Sequence, residues 1–523
     1  MLLDTIITAV PCFKFDGKEE GKMSEAPPKP KITIDGLVVE FEPGDTIMRA
    51  AERARIDRNI PRFCYHPGLP VAGTCRMCTV EVEKAPKLMT ACSTPATDGM
   101  VVQSRSERVE KSRSGVMEML LANHPLDCPV CDQSGECSLQ DYNYEYGPAK
   151  SKFVEEKRVW KEVTTKRLSD RLTLNMNRCV HCERCVRFTE DVTKTGEFLM
   201  DNRGWHKELT TALDEGLFNE YQGNVADICP VGAITFNDFR FQKRVWFLKE
   251  RTGICDGCAK GCSIFADEEK GTIHRYRARF NPEVNSHWIC DEGRVSFRTY
   301  QNPSRIVQPL LSAQTGLNAT NWDTVIPWFL DELKASRKIL MLIGTDGSSE
   351  EAATLAQVLS TFTPADVAVR SWNGTGDGVQ SSADDAPLDH LLRRRDHTSN
   401  TRGVEGLGIK PWNPSETGFD LAIYFRSGRA TMPPKMAAKE IAWGVFDHAE
   451  IQTFTAVLPG LTTLEKFGTY TNCDGITQSF EIVIPAPGSA SSVRKVLDGM
   501  KIKSMPQMAA LQTSTREVAR EPI

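Results

Sequence analysis

Long apolar runs are absent from this 523-residue sequence, and so are the usual signatures of a nucleotide-binding site. A membrane-spanning helix needs about twenty apolar residues, and no stretch approaches that length, so we expect any membrane attachment to be indirect. No G-x-G-x-x-G follows a predicted strand and no G-x-x-x-x-G-K-S/T is present, which argues against dinucleotide and P-loop sites. The formal net charge of -5 offers no electrostatic basis for binding nucleic acid.

The amino-terminal segment lacks the basic start, long apolar centre and small-residue cleavage site of a secretory signal, so we expect a cytosolic protein. The letters GKEEGKM back-translate to a purine-rich run of the kind that precedes a start codon. Translation beginning at Met23 rather than Met1 is therefore one hypothesis. The Pro/Lys-rich linker SEAPPKPK follows, and we expect no packed structure in residues 1–30.

Cysteine is abundant, with seventeen residues, and all but Cys12 and Cys473 fall into four groups between Cys64 and Cys290. Disulfide bonds are rare in a reducing compartment, and an odd number of cysteines cannot all pair. The grouping therefore predicts metal binding. After about residue 310 only one cysteine is left, so the predicted metal chemistry is confined to the first part of the chain.

Apolar periodicity divides the chain into parts of different construction. Residues 31–56 read as two strands joined by an Asp35-Gly36 turn and followed by a helix, which is the opening of a small β-grasp-like domain. A second helix is predicted from Glu107 to Asn123, with Met119 on its apolar face. After residue 310, strands such as KILMLIG and amphipathic helices predict an α/β layered domain, interrupted by a long loop over 371–418.

The first cysteine group has the spacing C-x10-C-x2-C-x13-C and consists of Cys64, Cys75, Cys78 and Cys92. Three thiolates come from one loop, where Gly73 permits a close backbone approach, and the fourth follows a strand. Four thiolates around two irons suit a [2Fe-2S] centre. Structural zinc is the alternative, although zinc knuckles usually pair two C-x2-C units.

The second group has the spacing H-x3-C-x2-C-x5-C and consists of His124, Cys128, Cys131 and Cys137. Taken alone, it fits a Cys3His zinc site as well as it fits a cluster. A zinc ion between two other clusters would interrupt electron flow. The context therefore favours a [4Fe-4S] centre with one neutral imidazole ligand.

The third group is the most specific and consists of Cys179, Cys182, Cys185 and Cys229. A C-x2-C-x2-C run completed by a distant Cys-Pro is the pattern of bacterial ferredoxins that hold two [4Fe-4S] clusters. Here Thr189 replaces the fourth cysteine of the run, and the positions of a second triplet hold Asn219, Gln222 and Val225. One cluster is therefore predicted to be lost and one kept, and His181, between two ligands, is not expected to coordinate it.

The fourth group has the spacing C-x2-C-x3-C-x27-C and consists of Cys255, Cys258, Cys262 and Cys290. Zinc is again an alternative if this segment is considered alone. The number of candidate ligands favours clusters, because the fifteen cysteines and one histidine of the four groups make four complete sets of four. Cys473 stands alone after Asn472 in a predicted turn, so we interpret it as a packed thiol.

With these residues in view, the first 310 positions resemble the large iron-sulfur subunit, of the G type, of bacterial NADH:quinone oxidoreductase, which is respiratory complex I. The segments CDEGRVSF, RIVQPLL, NWDTVIPWFLDEL, NTRGVEGLGIKP and EKFGTYTNCDGITQ resemble the molybdopterin-oxidoreductase-like domain of that family. Ile476 stands where the family usually has arginine. The part after Cys290 is shorter than in molybdenum enzymes and in most relatives from complex I, and it has no cysteine placed as a molybdenum ligand. The resemblance therefore implies a trimmed domain that serves packing and docking.

The resemblance implies a multidomain α+β and α/β protein with one [2Fe-2S] and three [4Fe-4S] clusters, and without molybdopterin, flavin or NAD on this chain. Electrons would pass from a flavin/NADH-binding partner subunit to these clusters and on towards quinone, coupled to proton translocation, with the fourth cluster off the main path. The chain would act in catalysis only as a subunit of NADH:quinone oxidoreductase, because this chain alone would have no complete active site. Its other partners would be peripheral-arm subunits on the cytoplasmic side of the inner (plasma) membrane.

The predicted domains follow the ligand groups. They are a disordered leader and linker (1–30), a β-grasp [2Fe-2S] ferredoxin-like domain (31–105), a small helical His/Cys3 [4Fe-4S] domain (106–146), a bacterial-ferredoxin-like [4Fe-4S] domain (147–250), a [4Fe-4S] domain of molybdopterin-oxidoreductase type (251–310), and a degenerate α/β molybdopterin-oxidoreductase-like scaffold (311–523).

Two alternatives stay open. The same set of clusters could belong to the diaphorase-side iron-sulfur subunit of an NAD-linked hydrogenase or formate dehydrogenase. A hydrogenase catalytic subunit would need further cysteines, however, and a formate dehydrogenase would need a much longer pterin domain. A zinc-bound structural scaffold without redox activity is the alternative from another class.

Overall fold

The structure is a computed structural model and describes residues 29–160, 165–212, 216–314, 316–362, 366–374 and 385–500. Most of the predicted leader, with Cys12 and the candidate start Met23, lies outside these residues. The chain divides into two compact units. The described part of the first is 29–60 with 79–109, and the second contains 61–78 and the rest from residue 110 onwards.

The first unit is built around a five-stranded sheet with the order β2-β1-β5-β3-β4. Its strands are β1 (Lys31–Ile34), β2 (Leu37–Glu40), β3 (Thr79–Val82), β4 (Met89–Thr90) and β5 (Val101–Gln103). Asp35 and Gly36 both have positive φ, as a two-residue hairpin requires. Helix α1 (Ile47–Arg53) starts at Thr46, whose side chain accepts from the backbone of Arg49, and buries its apolar face. The predicted strand-turn-strand-helix sequence is confirmed.

Helix α2 (Glu107–Asn123) has the predicted limits, but one prediction about its buried face was wrong. Met119 is 67% exposed, whereas Val109, Arg113 and Met117 are fully buried. These three residues are spaced four apart and form one stripe of the helix, and Met119 lies about 200° around the axis from Met117. The buried Arg113 donates to the hydroxyl of Tyr146, 3.0 Å away, so a charged residue occupies the middle of the buried stripe.

The second unit opens with short elements around the cysteine loops. The helices are α3 (Ser138–Tyr146), α4 (Arg184–Arg187) and α5 (Gly223–Ile228). The strands are β6 (Lys166–Arg167), β7 (Leu172–Leu174), β8 (Phe198–Asp201), β9 (Glu208–Thr211) and β10 (Ile234–Phe236). They form a sheet of order β10-β7-β6 and a separate β8-β9 hairpin. Regular structure is sparse here, so the loops depend on packing and on side-chain hydrogen bonds for their shape.

A three-stranded antiparallel sheet follows and supports the fourth cysteine group. Its strands are β11 (Lys249–Ile254), β12 (Ser263–Glu269) and β13 (Thr272–Ala278), in that order. The short helices α6 (Asp291–Val295) and α7 (Phe297–Tyr300) come next. Ile264, Ala266 and Ile273 of the sheet are buried together with cysteines of the group, so the sheet and the site share one core.

The last part is a seven-stranded sheet of order β15-β14-β20-β19-β18-β16-β17. Its strands are β14 (Leu310–Ala313), β15 (Gly316–Ala319), β16 (Lys338–Gly344), β17 (Asp366–Trp372), β18 (Phe419–Arg426), β19 (Ala437–Gly444) and β20 (Ala456–Pro459). The helices are α8 (Trp322–Ala335), α9 (Ser349–Phe362), α10 (Thr401–Gly406) and α11 (Val493–Gly499), and a hairpin is formed by β21 (Gly468–Thr471) and β22 (Thr477–Phe480). The strands from β16 to β20 pair in parallel.

Alternating residues of the central strands enter two different cores. Ile339, Met341 and Ile343 of β16 pack with residues of α8, α9 and α11, and Leu340 and Leu342 point into the opposite core. The predicted α/β layering after residue 310 is therefore confirmed. The predicted loop over 371–418 contains helix α10, whose Val404 is fully buried in the first of these cores. No helix in the described ranges is both long and apolar enough to cross a membrane.

Candidate metal centres

The third cysteine group surrounds a single cavity. Cys179, Cys182, Cys185 and Cys229 all line it. Burial raises the pKa of Cys179 to about 12 and that of Cys182 to about 11. Four thiols held together in such a place become thiolates only if a positive group joins them, which is what iron supplies.

The loop that carries this group has an irregular backbone. His181 and Glu183, on either side of Cys182, both have positive φ, which turns successive cysteines towards one point. The backbone N–H of His181 donates to the sulfur of Cys179 at 3.4 Å, a contact that stabilises a thiolate ligand. The imidazole of His181 forms a 3.0 Å hydrogen bond with the carbonyl of Lys207. That contact agrees with the expectation that His181 does not coordinate.

The fourth group is held by the ends of two strands and the start of a helix. Cys255 directly follows β11 and donates its N–H to the carbonyl of Cys262 at 2.8 Å, which closes the loop between them. Cys290 precedes α6, and its sulfur accepts from the N–H of Gly293 at 3.3 Å. A Cβ on Gly293 would lie 2.8 Å from the sulfur of Cys255, so only glycine fits between the two cysteines. Burial raises the pKa of Cys258 to about 12.

The second group is more open. Cys128 is exposed, Cys131 is half-buried and Cys137 is buried at the start of α3. Burial raises the pKa of Cys137 to about 12, and the nearby Cys131 adds to this shift. Cys128 similarly adds to the raised pKa of Cys131, so the three thiols are close neighbours.

His124 directly follows α2, as predicted. Burial, followed by the positive charges of Lys157 and Arg178, lowers the pKa of His124 to about 4. The imidazole is therefore neutral at physiological pH, which is the form that ligates metals. The charged groups that shift the pKa of His124 are Lys157, Arg178 and Asp127, and no cysteine is among them. The assignment of His124 to the second group therefore stays a prediction.

The first group is distributed over the two units. Cys64, Cys75 and Cys78 belong to the second unit, where the side chains of Cys64 and Cys75 are hydrogen bonded and Gly73 has a φ of 66°. Cys92 belongs to the first unit, where it is buried just after β4. Gly73 thus has a left-handed backbone conformation in the loop that carries three of the predicted ligands.

Within the second unit, loops that carry different groups contact each other. Arg187 donates to the carbonyl of Cys64 at 2.5 Å and to that of Cys182 at 3.2 Å. The N–H of Ser138 donates to the carbonyl of Pro230 at 3.1 Å, and Gly232 lies directly against the sulfur of Cys131. The third group therefore adjoins both the 61–78 loop of the first group and the loop of the second.

Sequence reasoning missed several residues that shape these sites. Arg184 and Arg187 flank Cys185 in the letters RCVR, and Gly232 and Gly293 closely follow a ligand, which is the only sequence signal they give. Cys473 is less isolated than its sequence position suggested. Its N–H donates to the carbonyl of Ala259 at 2.8 Å, and its thiol adds to the raised pKa of Cys258. It lies beside the fourth group.

Comparison with known families and proteins locates similar sequences in the same segments. Residues 29–107 match the 2Fe-2S iron-sulfur cluster binding domain, and residues 113–152 match the NADH-ubiquinone oxidoreductase-G iron-sulfur binding region. Residues 169–235 match the ferredoxin-like domain of NADH-quinone oxidoreductase subunit 3. The predicted combination of a [2Fe-2S] ferredoxin-like domain and [4Fe-4S] domains is confirmed at this level.

Similar proteins include the G subunit of NADH-quinone oxidoreductase of Rickettsia bellii, which is 40% identical over 324 residues, 61% of this chain and 46% of the relative. The mitochondrial 78 kDa subunit of NADH-ubiquinone oxidoreductase of Candida albicans is 41% identical over 298 residues, 57% of this chain and 41% of the relative. A solved NAD+-reducing [NiFe]-hydrogenase is also similar, with 29% identity, a TM-score of 0.36, and coverage of 41% of this chain and 91% of its own.

The chain spans less than half the length of the two curated relatives named above. The matched segments nevertheless contain the first three ligand groups, in the predicted order, and the match to the Rickettsia protein extends over three fifths of the chain. Over the part of the chain that these matches cover, the protein is an iron-sulfur protein whose sequence is similar to that of the G subunit of NADH-quinone oxidoreductase.

Proposed function

We propose that this chain is the electron-transfer iron-sulfur subunit of an NADH:quinone oxidoreductase. It would receive electrons from a flavin-binding partner subunit and pass them towards quinone, coupled to proton translocation. The observation that carries the proposal is the cavity of the third group, which four buried or half-buried cysteines surround. Iron-sulfur clusters, when bound, supply reversible one-electron transfer, and the chain's own residues hold and insulate them.

We assign sixteen ligands to one [2Fe-2S] and three [4Fe-4S] clusters. The [2Fe-2S] ligands are Cys64, Cys75, Cys78 and Cys92, and the [4Fe-4S] ligands are His124, Cys128, Cys131 and Cys137, then Cys179, Cys182, Cys185 and Cys229, and then Cys255, Cys258, Cys262 and Cys290.

The contacts between loops suggest an order of electron transfer. The 61–78 loop of the first group is tied to the third group by Arg187, and the third group adjoins the second through Pro230 and Gly232. Electrons would therefore pass from the first centre to the third and then to the second. The exposed Cys128 would make the second centre the exit towards a partner subunit.

We further propose that residues 311–523 are a degenerate molybdopterin-oxidoreductase-like scaffold without pterin. In parallel sheets, ligands bind beyond the carboxyl ends of strands where the strand order reverses, here beside β16 and β18. The buried carboxylate of Asp346 occupies this position and accepts from the N–H groups of Ser427, Gly428 and Ala430 at 2.9 to 3.0 Å. The Asp346 carboxylate thus occupies the backbone N–H donors that the phosphate of a pterin cofactor would need. Molybdenum or tungsten in stoichiometric amount in the purified protein would contradict this proposal.

Replacing His124 with cysteine is expected to keep a cluster in the second site and to lower its reduction potential. A thiolate adds a negative charge that the neutral imidazole lacks, and added negative charge disfavours the reduced form. Redox titration followed by EPR measures the shift, and His448→Cys, at an exposed histidine outside the ligand loops, is the matched control. An unchanged spectrum and potential in His124→Cys would show that His124 is not a ligand.

The proposed function is tested by purifying the tagged chain with its bound partners from its own cells. We expect flavin to co-purify, NADH to reduce the clusters, and quinone to re-oxidise them. Clusters that NADH leaves oxidised, or that hydrogen reduces instead, would contradict the proposal and favour a hydrogenase-linked role.

A further inference from the structure

Two arginines of helix α4 hold the loop of the first group against the third group. Arg187 donates to the carbonyls of Cys64 and Pro70, both at 2.5 Å, and to that of Cys182 at 3.2 Å. Arg184 donates to the carbonyl of Tyr65 at 2.6 Å and to that of Ile228 at 2.9 Å. Each guanidinium thus bonds to two segments of the chain. One segment carries Cys64, and the other carries Cys182 or lies next to Cys229.

Several other buried or half-buried arginines of this unit have a carboxylate partner. Arg275 pairs with Glu136 and Asp267, and Arg305 pairs with Glu465. Within the described residues, every recorded hydrogen bond of Arg184 and Arg187 goes to a backbone carbonyl instead. The Nε–H of each is also buried without a hydrogen-bond partner in the described part of the chain. A buried positive charge is costly unless a negative group lies nearby.

The neighbouring residues include suitable negative groups, because thiolate ligands make an iron-sulfur cluster anionic. Arg187 contacts the backbone of one ligand from each of two proposed centres, Cys64 and Cys182. A cluster gains negative charge when it is reduced, so a fixed positive charge nearby favours the reduced form. The low dielectric of a buried site strengthens that effect.

We propose that Arg187 is a positioning residue shared by the first and third centres, which keeps their loops in register and raises the reduction potentials of both. Arg184 supports the same two loops one helical turn earlier. This inference rests on the proposed function, because it takes both centres to be iron-sulfur clusters. It assigns to one side chain a simultaneous influence on two redox groups.

The test uses the full chain, purified anaerobically, in the variants Arg187→Gln and Arg187→Lys. The control is Arg167→Gln, because Arg167 is an exposed arginine on β6 that pairs with Asp170. Iron per chain is measured, and the potentials of the first and third centres are measured by EPR-monitored redox titration. Wild-type protein without clusters would overturn the proposed function itself, whereas a result confined to the variants concerns this inference alone.

In Arg187→Gln, we expect both potentials to shift to more negative values together, or both centres to be lost together. In Arg187→Lys, which keeps the charge, we expect both centres to form with potentials closer to wild type, and Arg167→Gln should change neither. A response of only one centre, or unchanged potentials with full iron in Arg187→Gln, would overturn the inference. Loss of all four centres in both Arg187 variants would be a general folding defect and would also count against it.

Discussion

Replacing Cys182 with serine is expected to remove the third centre and to stop electron transfer between the first and second centres. Cys182 is buried and lines the cavity that the other three cysteines of its group share. A serine hydroxyl is a poor ligand for iron, so we expect about four of about fourteen irons to be lost. Because the third group adjoins both of the others, its loss would remove the centre through which electrons are proposed to pass between them. Iron analysis and NADH-driven reduction of each EPR signal measure the two effects.

The matched control is Cys262→Ser in the fourth group, where the cysteine is also buried. It should also remove about four irons but leave NADH-dependent quinone reduction largely intact, because the fourth centre is proposed to lie off the main path. Equal losses of activity in the two variants would contradict the proposed order of electron transfer. Retention of all irons in Cys182→Ser would contradict the ligand assignment.

Replacing Gly232 with alanine is expected to destroy the second centre, although Gly232 belongs to a segment of the third. A Cβ at this position would overlap the sulfur of Cys131 and would lie 3.1 Å from Cβ of Gln133. A free cysteine could rotate away from the new methyl group at small cost, but a sulfur bound to iron cannot. The substitution therefore distinguishes a Cys131 that binds iron from a Cys131 that does not. Iron content should fall by about four, and only the EPR signal of the second centre should disappear.

Gly115→Ala is the control for this substitution. Gly115 lies within α2 and has nothing within 4 Å of an added Cβ, so alanine should be neutral or slightly stabilising there. If Gly232→Ala keeps the second centre with its spectrum unchanged, Cys131 is not held by iron in the position that the structure gives it.

Local patterns in the sequence were sufficient to predict several elements. The end of α2 follows from Pro125, which cannot continue a helix, and the Asp35-Gly36 turn follows from the need for positive φ. The third cysteine group was predicted on spacing alone, and its four members do surround one cavity. In each case the determining interactions lie close together in sequence or have a characteristic motif.

Contacts between distant segments were beyond such reasoning. Arg187 lies 117 to 123 positions from Pro70 and Cys64, and nothing in the letters RCVR indicates those partners. The error at Met119 has a similar cause, because tertiary packing chose the stripe through Arg113, which a hydrophobicity pattern treats as polar. The carboxylate of Asp346 beside β18 also depends on parallel strand pairing, with partners more than 80 residues away.

The most direct test of the account is the metal content of anaerobically purified protein, measured together with its visible absorption spectrum. We predict about fourteen irons per chain, from one two-iron and three four-iron centres, and the broad brown absorption of iron-sulfur clusters that bleaches on reduction. Zinc bound to thiolates is colourless and does not change on reduction. Colourless protein with stoichiometric zinc and little iron would contradict the central claim.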